Sequence, residues 1–556
     1  MRNRILRFLA YGILGLLTGL IVALLEFTAV TLLLDRVLEA PLWQKALAPG
    51  LGLLAAALIL KVIGRGLDPA TSEEYIAAYH DRRPRVRLSH LPPRFMAGAA
   101  TIGMGGAMGL EGPSIYTGAT IGASMQHRLK WLFRDKDDRS LLVAGAAAGV
   151  AAIFKTPATG VLFALESPYK GDMARRALLP ALVAAAVSYV TFVSFFGTTP
   201  IFDAKEILQG LTEGEVLRFD SRDLWGAALV GLMAGLGSVF FARMVMIAKK
   251  ISHDVPAWQR VIGGGAIMAA IVVLVDQVYE LPLALGPAGG GSVLEWVLQP
   301  GHSMGLLVLL LGLRMLATST TLGAGGVGGL FIPLTVFGLI TGRIAGELVG
   351  NPDALRLFPF IGLAAFLGAG YRTPLAAVMF VAESTGATEV VVPGLIAVAV
   401  SQVFVGATSV SANQRDTRIG HLERRFRMPI TSAIRTDVDT VPPDMSLSDF
   451  VWNHALKRKE LSAPVVDDGR YVGMVRVHDT ADVDRSQWSS VKVSEIARWV
   501  EPARLSMTLR EATLAMEDQG LEQIPVTDVS GKFVGVVTAD AILKLDEILE
   551  ETEGSG

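Results

Sequence analysis

The chain has 556 residues, of which 51% are apolar and 18% are charged, and its mean hydropathy is +0.47. This composition excludes an ordinary soluble protein and predicts a chain that crosses a membrane several times. The absence of cysteine excludes disulfides, thiol catalysis and cysteine metal sites, and nothing in the net charge of −2 points to nucleic acid.

The N-terminal segment MRNRILRFLAYGILGLLTGLIVALL has an apolar run too long for a signal peptide, and no small-residue cleavage site follows it. It predicts a retained membrane helix, and Arg2, Arg4 and Arg7 predict a cytoplasmic N-terminus. Glycine and proline interrupt the later apolar runs, which is typical of half-helices that end in a protein-lined cavity. The apolar runs are 8–34, 46–63, 141–153, 178–197, 224–241, 262–275, 304–318, 329–349 and 391–407.

The segment GMGGAMGLEGPSIYTGATIG (103–122) places one carboxylate, Glu111, among small residues and before Pro113, which suits a first helical turn. A charge at mid-bilayer costs ~2.5–3.5 kcal/mol or more, which favours a functional role. A carboxylate at a helix N-terminus occupies the position that a mobile anion would take, and it can leave when the anion competes or when it is protonated. The alternative is that Glu111 lies at the water interface and only caps a helix.

The segment GGLFIPLTVFGLITG (328–342) has the same pattern, and a helix is predicted from about Leu330 with Pro333 in its first turn. The first amides of a helix lack internal partners and carry the positive end of its dipole. Two such helix starts that point into one cavity would bind an anion without a full positive charge.

The segments FKTPATGVLFALES (154–167) and YRTPLAAVMFVAES (371–384) match at an offset of 217, which also carries Glu111 into GAGGVGGLFIP (323–333). This predicts a duplicated membrane domain that binds its substrate near the midplane between the repeats. The alternative is a shared membrane-helix composition. Glu166 and Glu383 lie at equivalent helix ends, which favours a structural role such as accepting from backbone amides.

Two arginines lie within the predicted membrane domain. Arg94 either raises the positive potential along the route to Glu111 or snorkels to the interface, and both interpretations stay open. Arg314 has no role that the sequence assigns.

The composition changes near Arg415, which predicts a membrane domain (1–414), a linker (415–427) and a soluble domain (428–556). The soluble domain contains two segments, about 428–490 and 491–550, with one order of elements: strand, helix, strand, glycine turn, strand, helix.

These motifs together resemble the CLC family of chloride channels and proton-coupled chloride exchangers with C-terminal CBS domains. GLEGP (109–113) is similar to the family's gating-glutamate motif, and GLFIP (329–333) is similar to its G-x-F-x-P motif. The resemblance implies an all-α polytopic membrane domain, built as an inverted repeat of tilted, broken helices, followed by an α+β CBS pair. It further implies a homodimer with one pathway per subunit. The implied gate is Glu111, and the implied anion-binding positions are Gly109, Leu110, Gly112, Gly329, Leu330 and Phe331, with the amides of Leu330 and Phe331 on the central anion.

The chain departs from the family pattern at several positions. DPATSEEY (68–75) replaces the usual serine segment, so that Thr71 or Ser72 is expected to supply the hydroxyl, and Ser411 stands where a tyrosine is usual. Leu110 replaces the arginine before the gate. Exchangers often carry a second acid directly after the position of Glu166, on the proton path, and here that residue is Ser167. A missing inner acid and a missing tyrosine favour, slightly, a passive chloride channel, with a proton-coupled chloride exchanger as the alternative.

The second CBS motif ends in GVVTAD, where Thr538 and Asp540 match the family's phosphate- and ribose-contacting positions. The first ends in GMVRVHD, with Arg476 and His478 at those positions. ATP or AMP is therefore a candidate ligand, and a purely structural dimerisation module is the equal alternative.

Other classes fit less well. No H-E-x-x-H motif occurs among the eight histidines, so that a zinc protease is not predicted, and we expect no enzyme and no required cofactor. A CBS-linked divalent-cation transporter would need several converging acids, which the glycine-rich breaks lack. Chloride is the expected ion, with protons as a second candidate, and the sequence does not distinguish chloride from nitrate, bicarbonate or fluoride. The gate motif lacks the alteration of the fluoride subgroup, which disfavours fluoride. The expected location is the plasma (inner) membrane, as a multi-pass protein with both termini in the cytoplasm.

Overall fold

The computed structural model divides the chain into two compact units, Met1–Arg418 and Ile419–Gly556. A helical membrane unit and a small α+β unit, as predicted, are both confirmed. Most of the predicted linker 415–427 lies outside the described residues. The described residues are 2–81, 86–133, 139–199, 221–287, 292–350, 354–386, 390–417, 428–458, 460–542 and 544–545.

The first unit is built from α-helices, and an eight-residue π-helical segment, Phe27–Leu34, joins the first two of them. Its helices are α1 (Arg2–Glu26), α2 (Asp35–Glu39), α3 (Leu42–Val62), α4 (Ser72–His80), α5 (Leu91–Gly103), α6 (Glu111–Arg128), α7 (Ser140–Phe154), α8 (Pro157–Glu166), α9 (Leu178–Phe196), α10 (Ser221–Asp254), α11 (Ala257–Tyr279), α12 (Ser292–Leu298), α13 (Met304–Gly323), α14 (Phe331–Val349), α15 (Ala354–Tyr371), α16 (Pro374–Thr385) and α17 (Val391–Val405).

Seven helical stretches of the described residues are long and apolar enough to cross a membrane. The first is continuous from Arg2 to Glu39, so that the predicted N-terminal membrane helix extends through the π-helical segment and α2. Several other apolar helices have only 10–17 residues. At ~1.5 Å per residue these are shorter than a ~30 Å bilayer core, and they are the broken helices that the sequence predicts.

Two breaks interrupt the membrane unit, at residues 104–110 between α5 and α6 and at residues 324–330 between α13 and α14. Each begins with a glycine in the left-handed region, Gly105 (φ 90°) or Gly325 (φ 88°), which ends the preceding helix. Each break therefore releases the chain from one helix a few residues before the next helix begins.

The two breaks repeat the same backbone contacts. The N–H of Gly106 donates to the carbonyl of Thr101, and the N–H of Gly326 donates to the carbonyl of Thr321, both at 2.9 Å. The offset between these contacts is 220 rather than 217, because the chain between the break and the later repeat motif is three residues shorter in the second half.

Small residues bring the helices of the unit into backbone contact. A Cβ at Gly118 of α6 would lie 1.9 Å from the carbonyl oxygen of Gly145 of α7, and the reverse distance is the same. Close packing at small residues is typical of membrane helices, and it fixes the position of α6 against α7.

The second unit contains two small sheets. The strands β1 (Ser462–Asp467) and β2 (Arg470–Arg476) are antiparallel. In the other sheet, β4 (Gln523–Thr527) pairs with β3 (Ala503–Arg504) in parallel and with β5 (Phe533–Thr538) in antiparallel orientation. The helix that was predicted to end the first motif is a 3₁₀-helix, Val477–Asp482. In the capping box of α21 (Leu509–Asp518), Thr508 donates to the Glu511 carboxylate from its amide and hydroxyl, which lowers the pKa of that carboxyl. The remaining elements are α18 (Leu447–Asp449), the π-helical segment Phe450–Ala455, α19 (Leu456–Arg458) and α20 (Val493–Ile496).

Candidate anion site at the two helix breaks

The two breaks meet at an isolated antiparallel bridge. The N–H of Gly109 donates to the carbonyl of Gly329 at 2.9 Å, and the N–H of Gly329 donates to the carbonyl of Gly109 at 2.7 Å. This pairing brings the N-termini of α6 and α14 together in the protein interior, so that the positive ends of two helix dipoles converge.

Glu111, the first residue of α6, turns its fully buried side chain toward the other helix. Its Oε1 accepts from the N–H of Phe331, the first residue of α14, at 2.5 Å. Its Oε2 is buried and has no hydrogen-bond partner among the described residues. The Glu111 carboxylate therefore accepts from one of the amides that were predicted to bind the anion.

Two glycines make room for this carboxylate. A Cβ at Gly109 would lie 1.8 Å from Oε2 of Glu111, and a Cβ at Gly329 would lie 2.1 Å from Oε1. Their N–H groups are already donated across the bridge. Gly109 and Gly329, two of the implied anion-binding positions, thus contribute space for the carboxylate, since their own amides are paired with each other's carbonyls.

The amide of Leu330 is occupied by a hydroxyl. Its N–H donates to the Oη of Tyr371 at 3.2 Å, and Tyr371 is buried at the end of α15. The sequence assigned the tyrosine position to Ser411 and took the tyrosine as missing. Ser411 lines the same cavity as Tyr371, so that a tyrosine from another helix reaches the site beside the position that the sequence assigned.

Two cavities flank the bridge. One of about 480 Å³, the Lys249 cavity, is lined on the bridge side by Met108, Gly329, Leu330 and Tyr371. The other, of about 380 Å³, is the Lys155 cavity, which Leu110, Phe154 and Ile332 line on that side. The two segments that form the bridge thus pass from one cavity to the other. The Glu111 carboxylate lies between the two cavities, in the wall that these segments form.

The Lys155 cavity lies at the end of α7, whereas the start of α7 is bound to α4, whose first residues line the Lys249 cavity. Arg139, just before α7, donates to the carbonyls of Ala78 and Asp81 at the end of α4, the helix that begins beside the Lys249 cavity. The other end of α7, Phe154, lines the Lys155 cavity. α7 has 15 residues, about 22 Å at ~1.5 Å per residue.

α1 runs in the same direction as α7. Arg7, near its start, donates to the carbonyl of Leu132 at 2.9 Å, and Glu26, at its end, lines the Lys155 cavity. α1 and α7 therefore both run toward the Lys155 cavity, and their starts lie on the other side of the unit.

Hydroxyl groups line the Lys249 cavity at the positions that the sequence proposed. Thr71 and Ser72 begin α4, and Thr71 Oγ1 donates to the carbonyl of Gly328 at 3.2 Å. A Cβ at Gly112 would lie 2.5 Å from Thr71 Oγ1, so this glycine gives the threonine its place. Ser411 is 5% exposed, and its Oγ has no hydrogen-bond partner among the described residues.

Glu166 and Glu383 exchange contacts between the repeats. Glu166 accepts from the amides of Leu375 and Ala376 at the start of α16, at 3.2 and 2.9 Å. Glu383 accepts from the amides of Ala158 and Thr159 at the start of α8, at 2.9 and 2.7 Å. Each acid therefore completes a helix N-terminus in the other half, which is the contact that a structural role requires.

Ser167, the proposed proton-path position, lies beside this contact. Its Oγ is buried and has no partner among the described residues, and its carbonyl accepts from Gln414 Nε2 at 2.9 Å. The same nitrogen donates to the carbonyl of Tyr371 at 2.8 Å. Ser167 is therefore tied to the tyrosine of the site through one side chain.

The two intramembrane arginines are both buried. Arg94 is 3% exposed, and its guanidinium lies 4.5 Å from the ring centroid of Tyr116, so that snorkelling is not what the structure shows. It is not among the residues lining either cavity. Arg314 is fully buried and donates to carbonyls of residues 283–287, among them Ala284 at 2.9 Å and Pro287 at 2.8 Å.

In the second unit, Thr538 and Asp540 lie at the end of β5 and the start of the following helical residues. Thr538 Oγ1 accepts from the N–H of Ala541 at 3.1 Å, and Asp540 pairs with Lys544 at 2.7 Å. In the first motif, Arg476 is bound to the buried carboxylate of Asp479 at 3.2 Å.

Sequence reasoning missed Tyr371, but the repeat held a signal for it. The offset of 217 aligns Tyr371 with Phe154, whose ring centroid lies 4.3 Å from that of Phe331. The ion pair of Glu73 and Lys249 in the wall of the Lys249 cavity was also missed, because its two residues are 176 positions apart and only tertiary structure joins them.

Comparisons with known proteins agree with this architecture. The family model for voltage-gated chloride channels matches residues 51–406, and the CBS domain model matches residues 430–484 and 500–547. A slow cyanobacterial Cl⁻/H⁺ antiporter is similar at 22% identity, with a TM-score of 0.60 over 72% of this chain and 94% of its own.

Two further solved structures share the fold. A CLC-type fluoride/proton antiporter aligns at 22% identity, with a TM-score of 0.56, over 73% of this chain and 98% of its own. A eukaryotic CLC transporter aligns at 18% identity, with a TM-score of 0.59, over 97% of this chain and 99% of its own. With the family model matched over well more than half of its length, the chain belongs to the CLC family of voltage-gated chloride channels and transporters, and it carries two CBS domains.

Proposed function

We propose that the membrane unit transports chloride through the two cavities and that Glu111 gates the passage between them. One observation carries this proposal: a buried carboxylate accepts from the first amide of α14 in the wall that separates the cavities. A chloride ion that displaced it would gain the same N–H donor and two helix N-termini, without a cation at the site. Donor groups of this kind suit an anion better than the divalent cation that we considered as a remote alternative.

The geometry favours proton-coupled exchange over passive conduction. Glu111 closes the site at the amide of Phe331, and Tyr371 closes it at the amide of Leu330, on the side that lines the Lys249 cavity. Exchange needs two closures that are not open together, whereas a passive channel needs only one gate. Tyr371 supplies a tyrosine hydroxyl at the site and so weighs against one of the two reasons for the sequence-based preference for a channel, and Ser167 in place of an acid remains the other.

Purified protein in liposomes tests this choice. A chloride gradient is expected to drive protons uphill, and Tyr371→Phe, which removes the hydroxyl at Leu330, is expected to lower the number of protons moved per chloride while chloride flux continues. Tyr189→Phe is the control, since Tyr189 lines neither cavity. Chloride flux that never moves protons in the wild type would establish the passive channel instead.

The cellular setting follows from the same proposal. The Arg2, Arg4 and Arg7 cluster supports a cytoplasmic N-terminus, so that the Lys249 cavity would open to the cytoplasm and the Lys155 cavity to the outside. We place the protein in the plasma (inner) membrane, with its soluble unit in the cytoplasm, as a homodimer with one pathway per subunit.

We also propose that the second CBS motif binds ATP or AMP. Thr538 and Asp540 stand at a strand end and helix start, where a hydroxyl can meet phosphate and a carboxylate can meet ribose. Calorimetry on the full chain is expected to show binding that Asp540→Ala weakens at least tenfold, about 1.4 kcal/mol, and that the matched change Asp528→Ala leaves intact. Equal heats for wild type and Asp540→Ala would indicate a purely structural pair.

A further inference from the structure

We propose that α3 and α11 form a binding site for an anionic phospholipid, with the headgroup on Lys61 and Arg260. The two helices touch where each has a glycine: a Cβ at Gly50 would lie 3.3 Å from the Cα of Gly265. From that crossing they diverge toward the end of α3 and the start of α11. A cavity of about 400 Å³ fills the space between these ends, within the ~300–1,000 Å³ range of small-molecule sites.

The walls of this cavity, the α3–α11 groove, are apolar along its length. Leu54 and Leu58 of α3 and Ile262 of α11 line it and are 47%, 52% and 65% exposed. Both helices belong to stretches able to span a membrane. Such large exposed apolar side chains on spanning helices face acyl chains. The surrounding bilayer therefore supplies an occupant of matching chemistry.

The polar residues of the groove are gathered at one end. Lys61 lies in the last turn of α3, and Trp258 and Arg260 lie in the first turn of α11, and all three line the cavity. Tryptophan and basic side chains at helix ends are typical of the membrane–water interface. Two cations with no acidic residue among the lining side chains select a headgroup with net negative charge.

Arg260 is one of the two cationic side chains that line the groove. Its Nη1 donates to Ser252 Oγ at 2.6 Å, whereas its Nε is buried and has no partner among the described residues. A phosphate oxygen is an acceptor that guanidinium binds strongly. Free phosphate is the other ligand that these two cations could bind. The apolar part of the groove matches acyl chains, which free phosphate lacks, and this favours a lipid.

Arg260 also connects the groove to the anion pathway. It lines the Lys249 cavity as well as the groove, and its guanidinium packs over Gly325, at the start of the second helix break. A lipid held by Arg260 would therefore rest against the segment that leads to Gly329 and Leu330. The binding site itself does not depend on whether transport is passive or coupled.

Fluorescence quenching tests the site in the full chain. The protein is reconstituted in phosphatidylcholine vesicles that contain brominated-acyl phosphatidylglycerol or brominated-acyl phosphatidylcholine, and Trp258→Phe identifies the signal of that residue. We expect the anionic lipid to quench Trp258 at lower mole fraction, and Lys61→Gln to weaken this preference about fivefold, the effect of one interfacial cation. Arg65→Gln is the matched control, because Arg65 is exposed near the end of α3 and does not line the groove.

Three results would overturn the proposal. Equal quenching of Trp258 by the two lipids would show that the groove has no headgroup preference. If Arg65→Gln and Lys61→Gln weakened the preference for the anionic lipid equally, that preference would arise from the general surface potential and not from the groove. Displacement of the brominated lipid by soluble glycerol phosphate, at concentrations comparable to those of the lipid, would identify a free phosphate site instead.

Discussion

Replacing Glu111 by glutamine is expected to leave chloride transport in place while removing both its response to pH and its coupling to protons. The carboxylate competes with chloride for the Phe331 amide, and acidification relieves that competition by removing its charge. A charge-assisted hydrogen bond of ~1.5–3 kcal/mol corresponds to about 10- to 150-fold in occupancy of the amide. Wild-type chloride flux should therefore rise as the pH falls, whereas the flux of the variant should already be high at neutral pH.

Chloride efflux from liposomes over a range of pH, with a proton-sensitive dye recorded in parallel, measures this effect. Glu39→Gln is the control, since it removes one exposed carboxylate of the same unit that lines neither cavity. If Glu111→Gln retains the wild-type pH profile, Glu111 caps a helix and does not gate.

Replacing Gly329 by alanine is expected to have the consequences of removing Glu111, although no charge changes. The added Cβ would lie 2.1 Å from Oε1 and 2.3 Å from Cδ of Glu111, distances that real Cβ atoms do not tolerate. The three nearest atoms all belong to Glu111, so that the side chain, rather than the backbone, must move. We expect a chloride flux that is high at neutral pH and weakly coupled to protons.

A double variant distinguishes displacement of the gate from general damage. In Glu111→Ala/Gly329→Ala the carboxylate is absent, and the second change should add nothing to the first. Gly312→Ala is the matched control, because a Cβ there meets no atom within 4 Å. Loss of all chloride flux in Gly329→Ala, with no recovery in the double variant, would show that the glycine serves the backbone and not the gate.

The sequence predicted the parts of the site that are local in the chain. Glycine breaks, a proline in each first helical turn and the carboxylate of Glu111 follow from helix-start chemistry within a few residues. The repeat also predicted that the two breaks are equivalent. In the structure, equivalent glycines of the two breaks, Gly109 and Gly329, pair with each other.

The sequence could not predict contacts that only tertiary packing creates. Tyr371 reaches Leu330 from another helix, and the family register had pointed to Ser411 for the tyrosine position. Burial of Arg94 against Tyr116 was equally outside local reasoning, because an arginine near a helix start fits an interface as well as an interior. The residues that make equivalent contacts in the two breaks are 220 positions apart, whereas the sequence motifs match at 217. Connecting segments absorb such differences in length, so that one sequence offset could not align the whole of both repeats.

The exchange of acids between α8 and α16 has a consequence for how such a unit could arise. Glu166 accepts from the first amides of α16, and Glu383 accepts from the first amides of α8. In each half, these amides of one helix start thus depend on an acid from the other half. In a bilayer no water replaces a lost partner at mid-depth. An ancestral protein with the length of one repeat would consequently have had all its helix N-termini satisfied only as a dimer. Gene fusion would then have joined two copies that already needed each other for these contacts.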